Sequence, residues 1–265
     1  MAKWLFERKA LIGMVHVGAL PGTPGARLGV DELVTQAVTE AKVIADAGFD
    51  AVMIENMHDA PYVHGAALGP EIVAAMTRVG QAVGEAVSIP MGIQILSGGN
   101  RHALAVAQAV GGAFIRCENF VFSHVADEGL LAEAEAGGLL RYRRMVGAEE
   151  IGVFCDIKKK HASQALTADL SLGDCAEAAE FFGADAVIIT GTATGKATSV
   201  ADVGEAKRAV SIPVLVGSGV TPETVGPLFE HADALIVGSY IKADGCWKNA
   251  VDGGRCEAVV AAGRK

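Results

Sequence analysis

Short apolar, β-branched runs alternate with stretches whose apolar residues recur at helical spacing, and this alternation predicts eight strands and eight helices in turn. Leu11 to Val17 reads as the first strand, and Gly18 to Gly29 as a Gly/Pro loop. Asp31 is expected to cap a helix running to about Ala47, with Leu33, Val34, Ala37, Val38, Ala41, Ile44 and Ala45 on one face and Gly48 ending it. The same reading gives strands at Ala51–Asn56, Met91–Leu96, Ala113–Asn119, Ile151–Lys158, Ala186–Thr190, Val214–Val216 and from Ala234 to Val237. Helices are expected from about Pro70 to Ala86, after a cap at Asn100, through Leu139–Arg144, from Ser171 or Leu172 to Phe182, and from Pro222 after a cap at Thr221. The fourth strand leads into a longer insertion containing Asp127-Glu128-Gly129.

The strands are apolar along both faces, as in parallel sheets covered on both sides. Three helix-to-strand junctions are worded alike: Ala47-Gly48-Phe49-Asp50-Ala51-Val52, Gly183-Ala184-Asp185-Ala186-Val187 and His231-Ala232-Asp233-Ala234-Leu235. Such repetition favours a single (β/α)8 barrel spanning 1–265 over an open doubly wound sheet, and 265 residues is a typical barrel length.

Composition narrows the partners. A net charge of −9, with no basic run longer than Lys158-Lys159-Lys160, argues against nucleic acid. Apolar residues make up 51% and no run reaches membrane-spanning length. Lys3, Arg8 and Lys9 precede apolar Ala10–Leu20 as in a signal peptide, but Glu7 and His16 interrupt the pattern and no A-x-A site follows. Five cysteines without CxxC spacing give neither a disulfide framework nor a zinc ribbon, so a cytoplasmic protein is expected. A homo-oligomer is open, with Trp4, Phe6 and Trp247 as contact candidates.

Charges on doubly buried strands must sit at strand ends, and here they sit at the carboxyl ends, where barrel active sites lie. Candidate catalytic residues are Glu55, Glu118, Asp156, Lys158, Lys160 and His161; Lys159, out of phase with Asp156, is expected to face solvent. Arg116 with Glu118, and Asp156 with Lys158, are two apart and expected to project together. A desolvated lysine could form a Schiff base or hold an anion, and a nearby histidine could exchange a proton. The competing reading is a set of ion pairs that close the barrel top. His16, Asn56, Arg116, Thr190 and Gly191 are candidate ligand contacts. His16, Glu55, Glu118 and Asp156 could also supply a divalent metal site, although no spacing motif requires a cofactor. After the last two strands, Gly217-Ser218-Gly219 and Gly238-Ser239 form two glycine-serine turns, the first opening a helix whose free N–H groups attract anions. Together they are expected to cradle a phosphate.

The sequence resembles the BtpA/SgcQ family. The resemblance rests on Gly13-Met14-Val15-His16, Asp50 to Asn56 with Asp59-Ala60-Pro61, Phe114-Ile115-Arg116, Arg141 to Arg144, Asp156-Ile157-Lys158 with Lys160-His161-Ala162, Thr190-Gly191 with Ala193-Thr194-Gly195, Pro213 to Thr221, and Ile236 to Ser239 with Ile241-Lys242. It implies the barrel and a set of polar strand ends. At the third strand the chain departs from the family's Asn-rich pattern, N-x-L-x-N-D, and reads Gln94-Ile95-Leu96-Ser97-Gly98-Gly99-Asn100. The functional expectation is an enzyme of carbohydrate or nucleotide-like metabolism that cleaves or isomerises a phosphorylated small molecule, whether as lyase or aldolase, isomerase, or glycosyl-bond hydrolase. The alternatives are a non-catalytic assembly or regulatory factor like those of photosystem biogenesis, and a metal-dependent enzyme of unphosphorylated substrates.

Overall fold

Eight parallel strands close on themselves in the computed structural model, which describes residues 3–159, 161–191 and 197–264, Lys3 and Trp4 by their backbone alone. The strands are β1 (Ala10–His16), β2 (Ala51–Glu55), β3 (Met91–Gln94), β4 (Phe114–Cys117), β5 (Gly152–Ile157), β6 (Ala186–Ile189), β7 (Val214–Val216) and β8 (Ala234–Val237). Each pairs with its sequence neighbours, and β1 closes the ring on β8 through Ala10–Gly13 opposite Ala234–Val237. Helices α1 (Val30–Asp46), α2 (Pro70–Ala86), α3 (Asn100–Val110), α4 (Ala136–Met145), α5 (Leu172–Phe181), α6 (Val200–Ala209), α7 (Pro222–Phe229) and α8 (Gly253–Gly263) follow the strands in order. Lys160 and the Thr192–Gly195 loop, both singled out by sequence, lie outside the described residues.

The two-residue period of the strands sorts the apolar residues into two cores. Leu11, Val52, Ile54, Ile115, Val153, Val187 and Leu235 join the core under the helices. Ile12, Met14, Met53, Phe114, Phe154, Ile188, Leu215 and Ile236 fill the inside of the barrel. Phe114 and Phe154 stack with centroids 4.7 Å apart, and Gly92 makes room for them, since a Cβ there would fall 2.1 Å from the Phe114 ring. A 3-10 turn at Lys3–Phe6 plugs the amino end, with Leu5 in the inner core and Phe6 5.4 Å from Phe154. Phe6 packs on the barrel floor and Trp247 lines the mouth, each keeping a partly exposed face.

The repeated junction has a physical cause. The carboxylates of Asp50, Asp185 and Asp233 accept from the backbone N–H of Leu11, Val153 and Val214 at 2.8–2.9 Å. Each aspartate thus caps the exposed amino end of the neighbouring strand, and each also binds a cation: Arg8 and Arg264, Arg143, and Lys207 respectively.

Element ends differ from expectation in small ways. Gly29 precedes α1, leaving Asp31 inside its first turn, and Gly99 precedes α3, so Asn100 is helical and buried. Ser171 caps α5 and Thr221 precedes α7 as expected. The insertion after β4 forms a hairpin of His124–Ala126 and Gly129–Leu131, and Ala162–Ser163 from the loop after β5 joins it as a third antiparallel strand over the mouth.

Candidate active site at the carboxyl mouth of the barrel

Following the inward positions up each strand leads from the apolar interior to a polar layer. Above Met14, Met53, Phe114, Phe154 and Ile236 come His16, Glu55, Arg116, Asp156 and Gly238, and β3 contributes Gln94 in register with Glu55. Two cavities meet in this layer. One of about 270 Å³ is lined by Gln94, Glu118, Glu128, Asp156, Lys159 and His161; the other, of about 150 Å³, by His16, Gly217, Ser218, Gly219, Gly238 and Ser239. Glu55, Met57 and Arg116 belong to both walls. A larger cleft of about 590 Å³ lies to the side, between the loops preceding α3 and α4, and shares only Ser97 with the mouth. We take the smaller pair as the site because the inward strand ends converge there.

Arg116 makes a bidentate pair with Asp156, both N–H···O contacts at 2.9 Å and both side chains buried. Burial alone would weaken the guanidinium's hold on its proton, but Asp156, with Glu55 and Glu118, more than reverses this. Gly217 belongs to the same packing: a Cβ there would lie 2.6 Å from Ile188 and 3.0 Å from the Arg116 guanidinium. Both oxygens of Asp156 are thus engaged in orienting Arg116. Arg116 and Asp156 are thus an ion pair at the barrel top, and Arg116 remains on the wall of both cavities.

The lysine assignment is corrected. Lys158 has φ of 45°, which breaks the alternation of β5; its ammonium donates to the Leu170 carbonyl, outside both mouth cavities. Lys159 therefore turns inward, 3.0 Å from Glu118 and 3.3 Å from Glu128, with its side chain 9% exposed. Glu118 also accepts from the Gly98 N–H at 2.8 Å, and the Ser97 hydroxyl donates to Glu128. Burial alone would raise the Glu118 pKa, yet Lys159, the Gly98 N–H and Arg116 hold it below the ordinary carboxylate range. Burial likewise works against the Lys159 charge, and Glu118 and Glu128 overcome it, keeping the ammonium protonated above its ordinary range.

At the rim, His161 stands 3.5 Å from Asp127 and is 44% exposed on its side chain. Burial, reinforced by Glu55 and Glu118, raises the Tyr62 phenol, whose hydroxyl donates to the Met57 carbonyl at 2.7 Å. His16 contacts the Trp247 carbonyl through Nδ1 at 2.9 Å and faces Glu55 through Nε2 at 4.0 Å. Asn56 is a second correction. One residue past Glu55, it faces the opposite way, accepts from the Leu96 N–H at 2.7 Å and donates to Asp59 at 2.7 Å, tying β2 to the loop after β3 instead of lining a cavity. Thr190 and Gly191 are buried beside the site but line neither cavity, and the Gly191 N–H donates to the Ser218 hydroxyl at 2.9 Å. Among the described residues no three His, Cys, Asp or Glu side chains converge to hold a metal ion. Gln94, Glu128, Lys159, Tyr62 and Trp247 complete the mouth. In the sequence Gln94 stood in the third-strand departure, Glu128 in the insertion after β4 and Trp247 among contact candidates, none of them as a site residue; Lys159 sat beside the candidate lysines, and the turn at Lys158 concealed its direction.

A closed parallel barrel with eight outer helices defines a (β/α)8 barrel protein, and its polar residues gather at the carboxyl ends of the strands, where the candidate site lies. The chain belongs to the BtpA family, whose model matches residues 7–265. It is 45% identical to an uncharacterized mitochondrial protein of Caenorhabditis elegans, covering 94% of this chain and 91% of that one. It is 32% identical to the photosystem I biogenesis protein BtpA of Synechocystis, over 95% of this chain and 87% of that one. Among solved structures, thiamine phosphate pyrophosphorylase from Pyrococcus furiosus superposes with a TM-score of 0.62 at 12% identity, covering 98% of each chain. A 3-hexulose-6-phosphate synthase gives 0.59 at 14% identity, over 96% of this chain and 99% of that one. These likenesses establish the fold. No helix among the described residues is long and apolar enough to cross a membrane.

Proposed function

We propose that the chain is a cytoplasmic enzyme that cleaves or isomerises a small phosphorylated sugar or nucleotide-like metabolite at the barrel mouth. The observation that carries this reading is the meeting of two unlike half-sites at Arg116 and Glu55. The glycine-serine turns after β7 and β8 form one half, with small residues and the amino end of α7; the carboxylates, Lys159 and His161 form the other. The first suits an oxyanion group, and the second suits proton transfer at the carbon skeleton it anchors. Barrels with related architecture bear the names of phosphorylated compounds, as thiamine phosphate pyrophosphorylase, 3-hexulose-6-phosphate synthase and phosphoribosylanthranilate isomerase, which supports the substrate class without fixing it.

Lys159 bears on the reaction type. A Schiff base needs a neutral amine, whereas two carboxylates keep this lysine charged. Its role in this reading is to stabilise negative charge developing on a substrate oxygen, with Glu55 or His16 moving the proton. A non-catalytic assembly role, suggested by the Synechocystis relative's name, instead predicts that mouth substitutions leave function intact.

Thermal unfolding with sugar phosphates, nucleoside monophosphates and their unphosphorylated counterparts tests the proposal, since a ligand at a hundred times its Kd adds about 2.7 kcal/mol. A rise confined to phosphorylated compounds and lost in Ser218→Asp is expected. Equal rises with neutral sugars, or a response to metal alone, would overturn it.

A further inference from the structure

One buried side chain lining the mouth carries a polar atom without a partner. Gln94 ends β3, is 2% exposed and lines the cavity of about 270 Å³, yet its Oε1 has no hydrogen-bond partner among the described residues. An amide oxygen buried without a partner is costly, so its retention on a cavity wall points to a group that arrives from outside. Neighbouring side chains do not supply the donor. Arg116 is engaged with Asp156, Lys159 with Glu118 and Glu128, and the Tyr62 hydroxyl with the Met57 carbonyl. The side chain in register on β2 is Glu55, a carboxylate and another acceptor. The β2–β3 wall therefore brings the Gln94 carboxamide and the Glu55 carboxylate to the cavity, opposite the glycine-serine turns across Arg116.

We infer that Gln94 is a specificity residue that accepts a hydrogen bond from a substrate hydroxyl, and that the substrate is a polyol phosphate carrying its hydroxyls on the side facing β2 and β3. This rests on the proposed phosphate half-site for the phosphate but not for the hydroxyls. The pairing is selective because an analogue lacking the hydroxyl would leave the amide oxygen buried and unpaired again, whereas a hydroxyl in an apolar pocket gains little discrimination.

Calorimetric titration of wild type and Gln94→Met with matched pairs tests it: ribose 5-phosphate against 2-deoxyribose 5-phosphate, glucose 6-phosphate against its 2-deoxy and 3-deoxy forms, and the unphosphorylated sugars alongside. Wild type is expected to prefer at least one hydroxylated member by about ten- to a hundredfold, the effect of one buried acceptor left unpaired. In Gln94→Met that ratio should collapse towards one. The ligand-free variant should also unfold at a higher urea concentration than wild type, because the substitution removes an unsatisfied polar group from the interior; a merely structural glutamine would give the opposite shift. An unchanged ratio in the variant, no preference in wild type, or a less stable variant with selectivity intact would each overturn the inference. Discrimination that depends on Gln94 but is seen equally with unphosphorylated sugars would uphold it and remove the phosphate half-site instead. Failure of every polyol to bind would overturn both.

Discussion

Lys159 stands between Glu118 and Glu128 in a pocket that excludes most water, so the cost of removing it falls on the carboxylates left behind. Lys159→Met should lower unfolding stability by about 3–5 kcal/mol in a denaturant titration, as expected when one member of a buried ion pair is lost. Lys159→Met combined with Glu118→Gln should recover part of that. The Glu118 carboxyl is held below its ordinary range in the folded state, so its contribution is complete above that range and disappears as pH falls through the depressed value. The stability advantage of wild type over Glu118→Gln should therefore be full at neutral pH and shrink in acid. A constant difference across pH would contradict this assignment. The sequence made Glu118 legible through its place at a strand end, two residues from Arg116. It concealed Lys159, because a single residue with φ of 45° at Lys158 reverses the inward and outward positions that follow. Gln94 stood in the sequence only as part of the third-strand departure from the family pattern, because an uncharged amide at a strand end carries no periodic signal and its unpartnered oxygen is visible only in three dimensions.

At the level of elements, the three junction aspartates act as strand caps. Replacing Asp233 by alanine leaves the Val214 N–H without its partner and Lys207 without its counter-ion, which should cost about 1–3 kcal/mol in urea unfolding. Asp185→Ala should cost a similar amount, and its effect should add to that of Asp50→Ala, since β6 and β2 share no edge. The hairpin over the mouth depends on side chains of a different kind: Glu128 at its turn reaches Lys159 and Ser97. Glu128→Ala should speed hydrogen exchange in the hairpin, around Val125 and Leu130, while leaving the barrel strands protected; uniform acceleration throughout the chain would show that the hairpin is not an independent unit. The eight strands and helices were legible because apolar runs and glycine punctuation recur with a steady period. The third strand of the small sheet was not, because Ala162–Ser163 is two residues long and exists only through pairing with the hairpin.

For the whole molecule, the decisive geometry is a ring closed by parallel neighbours, with a plugged floor and an open top. Leu5 and Phe6 pack into the amino end, Phe6 against Phe154, and among the described residues the polar layer opens on the side carrying the hairpin, Tyr62 and Trp247. In (β/α)8 barrels such an asymmetry goes with stability at the floor and recognition at the rim. It also explains why the glycine-serine turns read the same way in sequence and in space, since both end adjacent strands that open on the same cavity. Closure has a further effect on the order of the chain. The pairing of β1 with β8 brings the two extremities together: Arg264 reaches the Lys9 carbonyl and the Asp50 carboxylate. In a ring the place where the polypeptide happens to start is thus almost arbitrary. Joining the two ends through a flexible linker long enough to leave the Lys3–Phe6 plug in place, and opening the chain at Gly147, a floor turn with φ of 68° where an added Cβ would meet nothing within 4 Å, should yield a circularly permuted protein with the same circular dichroism and the same ligand response.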